Sequence, residues 1–157
     1  MKSILIANSD QQEAERIQQA VSHSFNTITV TSAQQIDDHL ANHQFMLLDQ
    51  NLTAGKGLDV LKHVTSKRSF PILMMAEDSE DAAEALEAGA ENYMVKTGTY
   101  VGLLDCSIKK MIDRFDEREA MKRTLIALRK QVAELEQRLA NGDQDEAQDA
   151  SDQQSPP

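Results

Sequence analysis

The sequence predicts a doubly wound α/β fold, a five-stranded parallel sheet with helices on both faces, followed by an extended C-terminal α-helix. Three observations predict it. Short, nearly uninterrupted apolar runs recur at a spacing of roughly 25 residues, and amphipathic helical patterns lie between them. The last helical pattern then runs on, without glycine or proline, well beyond what a domain of this kind needs.

The apolar runs at residues 3–7, 27–30, 45–48, 71–75 and 92–95 are the expected strands. Runs this continuous suit strands of a parallel sheet that is covered on both faces. Helical periodicity places helices at 12–22, 33–42, 58–66 and 80–88, and Gly89 stands where a left-handed helix end wants glycine. A fifth helix begins near Tyr100. In such folds ligands bind beyond the carboxyl ends of the strands, where the strand order switches, so the residues just after each strand are the ones to watch.

Between Leu103 and Leu139 there is no Gly or Pro. Ile108, Ile112 and Phe115 form one apolar stripe, placed to pack on the sheet. Met121, Leu125, Leu128, Val132, Leu135 and Leu139 form a second, with alternating spacings of four and three. That is a heptad seam, with Leu125, Val132 and Leu139 at a and Met121, Leu128 and Leu135 at d. At roughly 100° per residue the seam drifts off the direction of Phe115 and needs a partner of its own. A second copy of the helix is the economical one, giving a homodimer; a helix folded back on its own domain is the competing reading. Leu at d leans towards two parallel strands, but the e and g positions carry no decisive charge code, so parallel and antiparallel pairing both stay open. The expected organisation is a domain at 1–115, a coiled-coil helix at 116–140 that continues the fifth helix, and a disordered acidic tail at 141–157, with Asn141-Gly142 ending the helix.

Composition narrows the function. The net charge is −10, and Asp143, Asp145, Glu146, Asp149 and Asp152 supply negative charge that no Lys or Arg offsets from residue 141 onward. Nucleic acid and anionic membrane surfaces both need a basic face, so neither is an expected partner. Cys106 is the single cysteine, which excludes an internal disulfide and a cysteine-based zinc site. The apolar stretch at 4–7 is too short for a signal peptide or a membrane span, and the expected location is cytoplasmic.

Three blocks of sequence then carry a resemblance. Phe45-Met46-Leu47-Leu48-Asp49-Gln50-Asn51-Leu52, with Gly57-Leu58-Asp59-Val60-Leu61 after it, resembles the third-strand block of bacterial response-regulator receiver domains. Ala88-Gly89-Ala90-Glu91-Asn92-Tyr93-Met94-Val95-Lys96 resembles their fifth-strand block, and residues 4–10 their first strand and loop. The resemblance covers about residues 1–115 and implies the flavodoxin-like receiver (CheY-like) fold. It also implies a phosphoacceptor at Asp49, a magnesium site using Asp49, the Asn51 carbonyl and an acidic pair after the first strand, a phosphoryl-binding Lys96, and an aromatic switch at Tyr93. A histidine kinase and a downstream signalling protein are the implied partners in a two-component phosphorelay.

The sequence departs from that pattern in three places. The acidic pair falls on Asn8 and Ser9, which leaves Asp49 as the only obvious carboxylate for a hard cation that prefers oxygen ligands. Asp10, one position late, reads as the cap of the first helix with Glu13 three residues on. The hydroxyl residue expected after the fourth strand falls on Ala76. The proline that the family places after its lysine is Thr97 here, and a non-prolyl cis bond costs about 2.5–4 kcal/mol, so a trans bond is expected. The expectation is therefore a degenerate pseudo-receiver with no cofactor, magnesium binding only if the altered site still holds it, and Lys96 as the counter-charge of Asp49. No enzyme activity is expected beyond self-phosphorylation at Asp49 at most. The alternatives are a phosphorylation-competent response regulator and a structural coiled-coil scaffold. A flavin-type binder is disfavoured, because no loop is rich in the glycine and hydroxyl residues that cradle phosphate. The Gly-Lys at 55–56 lacks a phosphate loop's other residues and reads as a flexible connection; His39 and His43 read as surface histidines, and Cys106 as a packed small side chain.

Overall fold

A computed structural model describes residues 1–152. The chain divides into two compact units, Met1–Phe115 and the segment from Asp116 onward. The first unit contains β1 (Ser3–Ala7), α1 (Gln11–Val21), β2 (Asn26–Val30), a 3-10 turn (Ala33–Gln35), α2 (Ile36–Leu40) and β3 (Phe45–Asp49). It continues with β4 (Asn51–Leu52), β5 (Gly55–Lys56), α3 (Gly57–Lys67), β6 (Ile72–Ala76), α4 (Ala82–Glu87) and β7 (Asn92–Val95). The last helix, α5, spans Tyr100–Asp152.

The main sheet has the order β2-β1-β3-β6-β7 and all its pairings are parallel. Strand side chains alternate between the two faces, which explains why the apolar runs are continuous rather than alternating. Leu5, Met46, Leu48, Ile72 and Met74 join one core with Leu40, Leu61 and Val64 of α2 and α3. Ile4, Ile6, Leu47, Leu73 and Met75 join the other with Ile17 of α1 and Leu104 and Ile108 of α5. Each such side chain, fully buried, contributes roughly 1.5–3 kcal/mol. The edge strand β2 has only Val30 buried, and its sequence accordingly mixes Asn and Thr with the apolar residues.

Two glycines position the parts. Gly89 has φ 101, the left-handed conformation expected at the end of α4. Gly57 opens α3 against the chain leaving β3, where a Cβ would stand 2.2 Å from the Asp49 carbonyl oxygen. Gly57→Ala must push α3 off that strand end, and a loss of about 1–3 kcal/mol is expected in denaturant unfolding. A variant as stable as the unmodified protein would show that α3 can shift freely.

Some expectations are corrected. The connection at 51–56 is not an irregular loop: β4 and β5 form an antiparallel hairpin, with Ala54 at its tip at φ 62. His43 is buried and its Nδ1 lies 2.5 Å from the His39 carbonyl, whereas Cys106 is exposed rather than packed. Asn141-Gly142 does not end α5, which is helical to Asp152. A mid-helix glycine costs about 1 kcal/mol relative to alanine, and the Ala, Gln and Glu residues that follow it are good helix formers with no proline among them before Pro156. The acidic stretch 143–152 is thus helix; the rest of the expected tail, 153–157, lies outside the described residues.

In the second unit the six seam residues are all exposed, from Leu125 at 48% to Met121 at 74%. Among the described residues no helix is long and apolar enough to cross a membrane.

Candidate functional site

The loops after β1, β3 and β7 meet at the carboxyl end of the sheet, where β1 and β3 lie side by side and the strand order reverses. There they line a cavity of about 510 Å³. Asn8, Ser9, Asp49, Asn51, Lys96 and Thr97 all line it, so the structure brings together most of the residues singled out in the sequence. Ala76 is fully buried at the end of β6 and presents no hydroxyl. Tyr93 faces elsewhere: it packs with the α3–α4 side of the core, and its hydroxyl donates to the Asp78 carbonyl at 3.0 Å. Burial and the nearby Asp81, Asp78 and Glu80 push that hydroxyl's pKa up, so it stays a donor.

Asp49 ends β3 with 4% of its surface exposed. Its Oδ1 accepts from the Asn51 N–H at 2.8 Å, and its Oδ2 is in close contact with the Lys96 ammonium. The Lys96–Thr97 peptide bond is trans, and Lys96 still reaches Asp49. Ser9 Oγ donates to the Asn51 carbonyl at 3.0 Å. Asn8 is buried, and its Oδ1 accepts from the Asp10 N–H at 2.8 Å. Asp10 does cap α1, accepting from the Glu13 N–H at 3.1 Å.

The Glu13 side chain completes no capping box. It turns into the cavity, 8% exposed, and is the residue that sequence reasoning missed. Lys96 Nζ donates to its Oε2 at 2.7 Å, Asn8 Nδ2 donates to the same oxygen at 2.8 Å, and the Tyr100 hydroxyl donates to Oε1. Helical spacing held the signal. Glu13 is four residues before Ile17 and eight before Val21, on the buried stripe of α1, and Tyr100 leads the stripe Leu104, Ile108, Ile112 on α5. A charged side chain on the apolar face of a helix needs a buried partner, and here the partner is Lys96.

One ammonium thus serves two buried carboxylates, with the exposed Glu77 a further 3.5 Å contact. Burial works against Glu13's charge, but hydrogen bonds from Lys96, Tyr100 and Asn8 outweigh it and hold its pKa below the usual carboxylate range. Asp49 has fewer donors: burial pushes it up, Lys96 and the Asn51 N–H offset this only in part, and Glu13's charge adds to the rise. Burial pulls Lys96 down, yet hydrogen bonds and charges from Asp49 and Glu13 hold it above the usual lysine range. Burial, followed by the Glu13 contact, pushes the Tyr100 hydroxyl up, so it too remains a donor.

The family model of the response regulator receiver domain matches residues 4–106, well over half of the chain. The chain belongs to the response regulator receiver domain family. As a receiver it is a signalling domain of two-component systems, and its fold is the one expected. The transcriptional regulatory protein ResD of Bacillus subtilis (strain 168) is 33% identical over 58 residues, 36% of this receiver's chain. That match spans only 24% of the length of ResD. The CheY-like response regulator receiver domain protein from Methanospirillum hungatei JF-1 has a TM-score of 0.67 at 22% identity, covering 75% of this chain and 98% of that one. The BeF3-activated N-terminal receiver domain of RstA from Klebsiella pneumoniae has a TM-score of 0.64 at 20% identity, covering 70% and 97%. At these identities the likeness is one of fold.

Proposed function

We propose that this receiver is degenerate: a pseudo-receiver that works as a dimeric protein-interaction module rather than as a step in phosphoryl transfer. The observation that carries the reading is the state of the oxygens a magnesium ion would need. Asp49 Oδ2 faces the Lys96 ammonium, Asp49 Oδ1 and Asn8 Oδ1 each accept a backbone N–H, and the Asn51 carbonyl accepts the Ser9 hydroxyl. Among the described residues no group of three or more His, Cys, Asp or Glu side chains is placed to hold a metal. An incoming ion would have to displace an ammonium from Asp49, while Glu13 is already wrapped by three donors, Asp10 caps α1 and the exposed Glu77 at the rim itself contacts Lys96. This donor set does not fit a hard divalent cation. Phosphorylation at Asp49 and a switch from Ala76 to Tyr93 both fall away with it, and the ammonium holds the pocket in one state.

The seam at 116–140 supports the second half of the proposal, a homodimer. The continuation of α5 past Gly142 bears on its orientation, because Asp143 then occupies a helical e position. In a parallel pair, g faces e of the next heptad on the other copy. That sets Glu117 against Lys122 and Arg138 against Asp143 of the second copy, with no like-charge pair at the intervening positions. Antiparallel pairing in the register that matches the seams sets Arg129 against Arg129 and Lys122 against Glu136 twice, one repulsive and two attractive pairs, where the parallel pair has four attractive ones. The parallel dimer is the reading these charges favour.

Intact-mass measurement after incubation with a small acyl phosphate and magnesium tests the degenerate site. The expected result is an unchanged mass. A stoichiometric phosphoryl adduct that disappears in Asp49→Asn would establish the competing reading, a phosphorylation-competent response regulator.

A further inference from the structure

Glu13 contributes more than charge balance. Its carboxylate is held by three side-chain donors from three different elements: Asn8 beyond β1, Lys96 beyond β7 and Tyr100 at the start of α5. Each donor is itself buried or nearly so, with Asn8 at 1% and Tyr100 at 7% exposure and the Lys96 side chain at 9%. A nest of donors this dry is costly to leave empty, since each unsatisfied buried donor keeps its full desolvation penalty. The chain fills it from within, by a residue of α1.

We propose that Asn8 Nδ2, Lys96 Nζ and the Tyr100 hydroxyl form a carboxylate-binding site, and that Glu13 is its tethered occupant. The inference rests on the degenerate reading of the pocket, in which Lys96 serves carboxylates rather than a phosphoryl group. The ligand class follows from charge and shape. Lys96 also neutralises Asp49, so the site offers little net positive charge, and a phosphate dianion would sit against the Asp49 carboxylate. Two oxygens bearing one charge suit the arrangement, in which one oxygen meets Lys96 and Asn8 and the other meets Tyr100. When Glu13 is in place, α1 is tied to the first turn of α5 across the pocket. When it is withdrawn, the nest is open to a small monocarboxylate.

Glu13→Ala removes the four heavy atoms that make up acetate, so acetate is the probe. Thermal unfolding of the full chain is measured in sodium acetate and in sodium chloride of equal ionic strength near neutral pH. The variant is expected to melt several degrees below the unmodified protein in chloride and to recover at least half of that loss in acetate. The unmodified protein should respond alike to both salts. Equal response of Glu13→Ala to the two salts overturns the proposal, and so does stronger stabilisation by inorganic phosphate than by acetate. Should Glu13→Ala not fold, Glu13→Gln keeps the shape and removes the charge. Labelling of Lys96 by an amine-reactive reagent, relative to exposed Lys62, should then rise several-fold over the unmodified protein; an unchanged ratio would overturn the proposal. A phosphoryl adduct on Asp49 would end the degenerate reading by a different measurement, one that the acetate comparison does not share.

Discussion

Leu128→Asp combined with Leu135→Asp is expected to convert a dimer into monomers while leaving the receiver unit folded. Both residues are d positions of the seam, and each is more than half exposed, Leu128 at 51% and Leu135 at 56%. Left in water, six large apolar side chains forgo roughly 1.5–3 kcal/mol for each one that could be fully buried. Pairing with a second copy recovers much of this from both helices at once, against an association cost of about 4–15 kcal/mol. Two aspartates per chain put four carboxylates into the middle of that interface, where an isolated charge is strongly disfavoured. Light scattering at tens of micromolar should give twice the chain mass for the unmodified protein and the chain mass for the variant. Leu128→Cys, in a Cys106→Ser background, should crosslink to its own counterpart if the helices run parallel. Unmodified protein that is monomeric at these concentrations would end the dimer reading outright.

The two parts of this protein were legible in the sequence to different depths. The sheet could be read because every central strand is buried on both faces, so Ile4, Leu5 and Ile6, or Ile72, Leu73 and Met74, are apolar without a break. That signal is local and survives without knowledge of the partner strands. The hairpin at 51–56 was missed because its two short strands pair over a turn whose positive φ falls on Ala54, a residue that carries no turn signal. Asn141-Gly142 predicts a helix end because glycine there looks like a cap, yet nothing after it forbids helix, and α5 runs through it.

The site was legible where position along a strand decides it and obscure where packing does. Asp49, Lys96, Asn8 and Ser9 follow strand ends, and the fold carries them to one cavity whatever their chemistry. Glu13 belongs to a helix, eighty-three residues from Lys96, and its pairing exists only once α1 and β7 lie on the same sheet. Its spacing with Ile17 and Val21 was the available sign, but the Asp-x-x-Glu pattern with Asp10 offered a local explanation first. The cap is real, and the glutamate does something else.

Lys96→Met should be the most destabilising single change in the pocket. It leaves Glu13 and Asp49, at 8% and 4% exposure, without the cation they share. Removing one partner of a buried ion pair costs about 3–5 kcal/mol, or on the order of 10–20 °C in melting temperature for a unit of this size. The sign with pH follows from each group. In the unmodified protein Lys96 is held above its usual range, so its contribution is complete at neutral pH and is lost only as pH rises through that raised value. Glu13, held low, contributes above the ordinary carboxylate range and loses that contribution as pH falls through its lowered value. Asp49, pushed up, imposes a cost that fades as pH falls through its raised value. Without the ammonium, burial acts on both carboxylates in the same direction as it now acts on Asp49, so Lys96→Met should gain stability as pH falls from about 7.5 towards 5.5. Adding Asp49→Asn removes one of the stranded charges and should restore part of the loss at neutral pH. Urea unfolding at the two pH values measures all of this. A loss below about 1 kcal/mol, or one that does not change with pH, would mean that water rather than Lys96 solvates the two carboxylates.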